Sequence, residues 1–312
     1  MSAALIFNAI DPRIDGVLLS GTAFFVLFVS SFWMHTYCML VLGLVCSIFF
    51  NGRLWCGIGT VPVVVIGALM VPGGSIRLPP KSPGPRITVF SANLMYGRGD
   101  GQSLLKQIDE VDPDVVVLQE YTDGFAAQWE SELLRRYPHS DRLPSDGAFG
   151  QATFSRLAFV ETPRRYPRTE ISPSRGWPAQ TEVVVRVGER EVSVVNVHLL
   201  PPTGFTMVMD QHRMATGLQD VFGNVDRPTV LAGDFNSNER GLPVRRLLDV
   251  GFHRARLSRA TWPRTGVFRH VPGIRLDHVL YRGTHVSVLE KGVGADFGSD
   301  HRPVWATLLV EP

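Results

Sequence analysis

Apolar positions fall into two regimes along this chain. From Gly16 to Gly52 there are 37 consecutive residues without Asp, Glu, Lys or Arg, and Leu54 to Ile76 adds 23 more. At 1.5 Å per residue the first run would make a helix of roughly 55 Å, against about 30 Å of bilayer hydrocarbon. Two short spans, 16–33 and 36–51, use that length better than one, and a third at 55–73 ends at the Pro72-Gly73-Gly74 breaker. The pattern predicts three transmembrane helices within residues 1–73, with two as the alternative. A cleaved signal peptide needs a basic start and one short apolar core. Here the run follows Asp11-Pro12-Arg13-Ile14-Asp15 and is too long.

Residues 74–85, rich in proline and glycine, read as a linker. From residue 86 to 312 the pattern changes to short β-branched runs alternating with helical periodicity. Strands are expected at Ile87–Ser91, Asp114–Leu118, Thr181–Val187, Glu191–Val197, Thr229–Ala232, His278–Tyr281 and Val304–Val310. Helices are expected at Gly101–Val111, Gly124–Arg136, Met207–Phe222 and Leu242–Val250. Strands outnumbering helices point to an α/β sandwich of mixed sheets rather than a doubly wound sheet.

What stands at the strand ends narrows the function. Apolar runs lead into Asn93, into Gln119-Glu120, into His198 and into Gly233-Asp234-Phe235-Asn236; Leu276 precedes Asp277-His278, and Ser299 precedes Asp300-His301. Ionised groups at the rim of a buried sheet cost free energy unless paired, hydrogen-bonded or metal-bound. Singly, each has an ordinary explanation: turn residues at Asp234 and Asn236, a helix cap at Ser299-Asp300, a core histidine at His198. The ordered set argues for one convergent cluster.

Composition removes several classes. The chain has 31 basic and 29 acidic residues and is 45% hydrophobic, so it is neither a disordered tail nor a polybasic binder. The first 80 positions hold only Asp11, Arg13, Asp15, Arg53 and Arg77, which leaves 28 basic and 27 acidic residues beyond them. Cys38, Cys46 and Cys56 all lie in the apolar region, so the rest of the chain has no disulfide, zinc-thiolate or thiol nucleophile. The spans carry no charge to mark a translocation path, which argues against a transporter.

The set Asn93, Gln119-Glu120, His198, Gly233-Asp234-Phe235-Asn236, Leu276-Asp277-His278 and Ser299-Asp300-His301 resembles the endonuclease/exonuclease/phosphatase (deoxyribonuclease I-like) superfamily, and within it the bacterial members with a membrane-embedded N-terminus. The resemblance covers about residues 86–312 and implies a four-layer α-β-β-α sandwich with the site at one edge of two mixed sheets. It implies a phosphodiester hydrolase, and no member of the cluster is missing as a pseudoenzyme would require.

An oxygen-rich, thiol-free cluster suits Mg²⁺, with Mn²⁺ as the alternative. Glu120 is the first candidate ligand, with Asn93 and Asp300 beside it, as the resemblance also implies. Asp234 is placed to orient or deprotonate water, the Asn236 amide to donate to a phosphoryl oxygen, and His301, oriented by Asp277, to hold the phosphate as imidazolium. His198 is expected to contact the phosphate or protonate the leaving oxygen. Relatives often pair such a histidine with an upstream carboxylate, and no such partner is evident here.

The substrate stays open between nucleic acid, the leading expectation, and a phospholipid, sphingomyelin or small phosphoester. A near-neutral domain lacks the general basic character that favours nucleic acid, although Arg164, Arg165, Arg168 and Arg175 cluster in what reads as a solvated loop. Phe205, Val208 and Met209, just after His198, read either as a bilayer-dipping loop or, by helical spacing, as the packed face of a helix. Arg13 and Arg53 on the inside would place the catalytic domain outside the cytoplasm of a multi-pass membrane protein. The bilayer is then its constant partner.

Overall fold

The computed structural model describes residues 84–166, 179–264 and 273–312. The expected spans and the linker up to residue 83 lie outside the described residues. Among the described residues no helix is long and apolar enough to cross a membrane.

Twelve strands build two six-stranded mixed sheets. The first contains β1 (Arg86–Asn93), β2 (Val115–Gln119), β3 (His139–Leu143), β4 (Gln151–Ser155), β11 (Val286–Val293) and β12 (Val304–Val310), in the order β11-β12-β1-β2-β4-β3. The second contains β5 (Arg164–Tyr166), β6 (Gln180–Val187), β7 (Arg190–His198), β8 (Thr229–Asp234), β9 (His253–Arg254) and β10 (Asp277–Arg282), in the order β5-β6-β7-β8-β10-β9. In each sheet one central pair is parallel, β1 with β2 and β7 with β8, and the other neighbours are antiparallel. Parallel neighbours need a crossover. Helix α1 (Gly101–Val111) supplies the first, and α3 (Phe205–Phe222) the second. Helices α2 (Asp123–Arg136) and α4 (Leu242–Asp249) are the other two among the described residues.

Three apolar cores separate four layers. Leu104, Ile108, Phe125 and Leu133 of α1 and α2 pack on Phe90, Val116 and Phe154 of the first sheet. Leu218, Phe222 and Leu247 of α3 and α4 pack on Val195, Leu231 and Leu280 of the second. Between the sheets, Ile87, Val89, Val115, Val117, Val192, Val194, Val230 and Ala232 form a dry middle core. Both faces of these central strands are buried, which explains why they read as continuous apolar runs.

The middle core changes character along each strand, because side chains two apart share a face. On β7 it runs Val192, Val194, Asn196, His198; on β1, Ile87, Val89, Ser91, Asn93; on β8, Val230, Ala232, Asp234. The intermediate tier is polar and bonded across the sheets. Gln119 Nε2 donates to Asn196 Oδ1 at 2.7 Å, and Asn196 Nδ2 donates to the carbonyls of Leu118 at 2.9 Å and Ala152 at 3.1 Å. Buried amides so satisfied fix the relative register of the sheets, since a slip would strand every partner.

The four expected helices are found with ends shifted by at most two residues. Five strands lie beyond the seven expected. β3, β4, β9 and β11 extend the sheets, and Arg164–Tyr166, expected within a solvated loop, is the edge strand β5, paired with Gln180–Glu182. Arg168 and Arg175 lie outside the described residues.

Candidate active site

One end of the sandwich gathers the polar strand termini. Parallel pairing sets His198 opposite Asp234, and antiparallel pairing sets Asp277 opposite Asp234, so three neighbouring strands end on these three side chains. Gly233 makes this possible. Its φ is +153°, and a Cβ there would sit 1.8 Å from the Val197 carbonyl oxygen, so only glycine lets β8 lie beside β7 here. From the first sheet, Asn93 ends β1 and Glu120 follows β2.

The contacts close across the gap. Asn93 Nδ2 donates to Glu120 Oε1 and to Asp234 Oδ2, both at 3.1 Å, so one amide joins the two sheets at their rim. The Tyr96 amide donates to Glu120 Oε2 at 2.7 Å, and the Met95 amide to Asn93 Oδ1 at 2.9 Å. His301 Nδ1 is 2.9 Å from Asp277 Oδ2, and its Nε2 is 3.7 Å from Asp234 Oδ2. His198 Nε2 faces Asp234 Oδ2 at 3.9 Å and Glu120 Oε1 at 4.0 Å. The Asn236 backbone amide donates to Asp234 Oδ1 at 2.8 Å, while its side-chain amide donates to the Leu199 carbonyl at 2.8 Å and to Asp234 Oδ2 at 3.2 Å. Asp300, half-buried, accepts from the Trp262 indole at 3.2 Å.

Backbone strain concentrates here. Met95, Tyr96, Glu120 and Asn236 have φ between +45° and +56°, and Asp112, which caps α1, is the fifth non-glycine residue of positive φ among those described. Each left-handed residue of this kind costs on the order of 1 kcal/mol and persists where the surroundings over-determine it. At Glu120 the Asn93 and Tyr96 bonds do so.

Electrostatics separate the roles. Burial raises the Asp234 carboxyl to about 6, against the pull of His301 and His198. Burial opposes charge on His301, but Asp277 and Asp234 outweigh it and lift the imidazole to about 10, so it is a cation at neutral pH. Burial lowers His198 and keeps that ring neutral, against the attraction of Asp234. Burial also raises Glu120, although its bonds to Asn93 and Tyr96 favour the carboxylate.

A profile of the Endonuclease/Exonuclease/phosphatase family matches residues 90–301, the stretch that holds all of these groups. The chain belongs to that family. Its members are hydrolases acting on phosphoester bonds, and they use divalent metals. No curated protein matches the chain in sequence. Among solved structures it is similar to an endonuclease/exonuclease/phosphatase from Beutenbergia cavernae (TM-score 0.58, 21% identity, 73% of this chain and 72% of that one). It is also similar to humanized D. rerio TDP2 (TM-score 0.57, 16% identity, 72% and 98%). A third similar structure is the Neisseria 3' phosphatase NExo bound to product DNA hairpin (TM-score 0.54, 18% identity, 70% and 98%). At these identities the likeness is one of fold.

A divalent metal fits the residues that this endonuclease/exonuclease/phosphatase chain presents. Glu120, Asp234, Asp277 and Asp300 meet at one rim. Among the described residues their ion-pairing partners are His198 and His301, with no Arg or Lys. One imidazolium does not offset four carboxylates, and oxygen donors match hard cations. Asp234, Asp277 and His301 also bring possible ligand atoms within 4.8 Å of one another, but the His301 imidazolium has no lone pair to give a metal.

Every residue expected at the site lies at this rim. Three supporting residues escape sequence reasoning. Gln180 Nε2 donates to the His198 carbonyl at 2.9 Å, and its Oε1 accepts from the His198 amide at 2.7 Å. Thr261 Oγ1 accepts from the amides of Leu276 and Asp277 at 3.0 and 3.3 Å, and Trp262 holds Asp300. Each is a lone polar or aromatic residue far along the chain from its partner.

Proposed function

We propose that the chain is a divalent-metal-dependent phosphodiesterase that acts on nucleic acid. The observation that carries this is the convergence, within one buried cluster, of Asp234 with His301 Nε2 at 3.7 Å, the imidazole being held at Nδ1 by Asp277 at 2.9 Å. Phosphoryl transfer needs a positive group for the phosphate oxygens and a base near neutrality for water, and this pair supplies both. Asp234 takes the proton of the attacking water; Asn236 fixes that carboxylate through two bonds. Asp277 holds His301 by Nδ1 and leaves Nε2 for a phosphate oxygen. His198 presents Nε2 to the same space. Glu120, Asn93 and Asp300 would hold the metal, Mg²⁺ first and Mn²⁺ as the alternative, which supplies charge neutralisation at the phosphate and leaving group.

The nucleic-acid reading draws on two neighbours of the same fold. One is D. rerio TDP2 complexed with single strand DNA product, and the other is the 3' phosphatase bound to product DNA hairpin. Exposed Tyr96, whose amide binds Glu120, gives a base a surface to stack on at the mouth. One observation favours a phospholipid instead: Val208 packs inward at 1% exposure, but Phe205 stays 43% exposed just beyond the His198 loop. The apolar segment 16–73 further implies residence in the cell membrane as a multi-pass protein, with the catalytic domain outside the cytoplasm.

The test uses the full chain in detergent with plasmid DNA, RNA and mixed phospholipid vesicles at matched metal and low salt. Nicked DNA, with binding that weakens steeply as salt rises, supports the nuclease. Headgroup release with plasmid left supercoiled replaces it by the lipid reading. Turnover that survives chelation overturns both.

A further inference from the structure

His198 is held unevenly. Gln180 clamps its backbone on both sides, and Nε2 faces two carboxylates, yet Nδ1 is buried without a hydrogen-bond partner. Family resemblance leads one to expect a carboxylate at Nδ1, and among the described residues none bonds there. A buried imidazole nitrogen left unmet loses its hydration with no bond in return.

A second buried side chain is unmet in the same tier. Gln151, 1% exposed, has neither its amide nitrogen nor its carbonyl oxygen bonded. It opens β4 opposite Gln119, and Gln119 points between the sheets toward Asn196, so Gln151 shares that face. The alignment of the facing strands is fixed, because Asn196 Nδ2 bonds the carbonyl of Ala152. Moving toward the rim from that bond, β7 reaches His198 two residues on, and β4 reaches Gln151 one residue on. A glutamine side chain spans the remaining offset. The start of β4 is itself pinned: Tyr121 donates to the Gly150 carbonyl at 3.0 Å, and a Cβ on Gly150 would lie 1.9 Å from the Tyr121 oxygen.

We propose that Gln151 positions His198, its side-chain amide donating to Nδ1 and so keeping the ring proton on Nε2, toward Glu120 and Asp234. The polarity of the site dictates this direction. Two carboxylates on the Nε2 side attract the proton there, which leaves a lone pair on Nδ1 that needs a donor. An amide has one; a carboxylate, accepting only, would draw the proton to Nδ1 and turn the ring's lone pair to the mouth. The Gln151 carbonyl then has the hydroxyls of Thr153 and Thr181, both unmet on the same inter-sheet face, as donors within its tier. Gln151 touches no substrate, so it is a positioning residue. The proton on Nε2 makes His198 a hydrogen-bond donor to the phosphate or leaving oxygen.

The proposal rests on the site assigned above, but its test reads the ring directly. The full chain is labelled with ¹⁵N-histidine, and the His198 signals are identified by their loss in His198→Gln. The wild-type chain should show a protonated Nε2 and an unprotonated Nδ1 shifted by hydrogen bonding. Gln151→Glu should move the proton to Nδ1. Gln151→Met, equal in length but without a donor, should abolish the Nδ1 shift and lower kcat about tenfold with KM unchanged. A proton on Nδ1 in the wild-type chain overturns the proposal whether or not any variant folds. So does a Gln151→Met chain with the Nδ1 signal and kcat of the parent. A chain that cleaved no phosphodiester would refute the proposed function and still return the tautomer.

Discussion

Asp277 Oδ2, at the buried start of β10, lies 2.9 Å from Nδ1 of His301, and this contact decides which nitrogen of His301 faces the carboxylate cluster. The bond is short enough to be charge-assisted, and it orients Nε2 toward Asp234. Asp277→Asn keeps the shape but loses the charge. We expect kcat to fall by about 10²-fold or more. The sign of the pH effect follows from the raised pKa. His301 stays charged, and contributes stability, until pH rises through about 10. Without Asp277 that loss comes at lower pH, so the alkaline limb of kcat/KM should move toward neutrality. A limb that stays in place would show that His301 does not carry it.

Glu120 trades stability for binding. Burial raises its pKa, so the ionised carboxylate is held at a cost while no cation meets it. Glu120→Gln should therefore raise the metal-free melting temperature, read by calorimetry in chelator. The same variant should need about 10- to 100-fold more metal for half-maximal activity.

Gly233 is a backbone requirement. With a Cβ at 1.8 Å from the Val197 oxygen, Gly233→Ala cannot keep the β7–β8 pairing that sets His198 beside Asp234. The expected loss exceeds about 4 kcal/mol, in the range of severe single substitutions. Denaturant titration measures it, and a loss below 1 kcal/mol would mean that the strands separate without penalty.

Acid sensitivity should come partly from His212, on the buried face of α3 and outside the site. Burial, with the nearby Arg246 charge, lowers it from the ordinary 6.5 to about 4. The unfolded chain thus binds a proton that the folded chain refuses. Stability from this group is complete above pH 6.5 and is lost as pH falls toward 4, by about 3 kcal/mol at most. His212→Gln should flatten that part of the pH–stability curve while leaving turnover at neutral pH close to the parent.

The helices were legible because each buries one stripe: Leu104, Leu105 and Ile108 on α1 recur at helical spacing. The central strands were legible as unbroken β-branched runs. The edge strands were not. β3 reads His-Ser-Asp-Arg-Leu, half-buried, and β11 carries Glu290 and Lys291 across a register shift, so neither shows a clean apolar alternation. The strand-end carboxylates and histidines could be found because charge at the end of an apolar run is locally conspicuous. Gln180, Thr261 and Gln151 could not. Their meaning lies in partners brought near only by the fold, and a lone glutamine or threonine has no local signature.

The antiparallel register of β1 and β12 puts the catalytic rim and the chain's entry at opposite ends of the domain. Ser91 pairs with Val304 near the site, Arg86 pairs with Leu309 far from it, and the Val310 amide bonds the Pro85 carbonyl at 2.9 Å. The eight residues of β1 separate the two ends by about 25 Å at roughly 3.3 Å each. Residues 84–86 and 309–312 therefore lie together at the end of the sandwich away from the rim. A bulky fusion placed after Pro312 should leave catalytic rates unaltered, because its attachment point is a strand's length from the mouth.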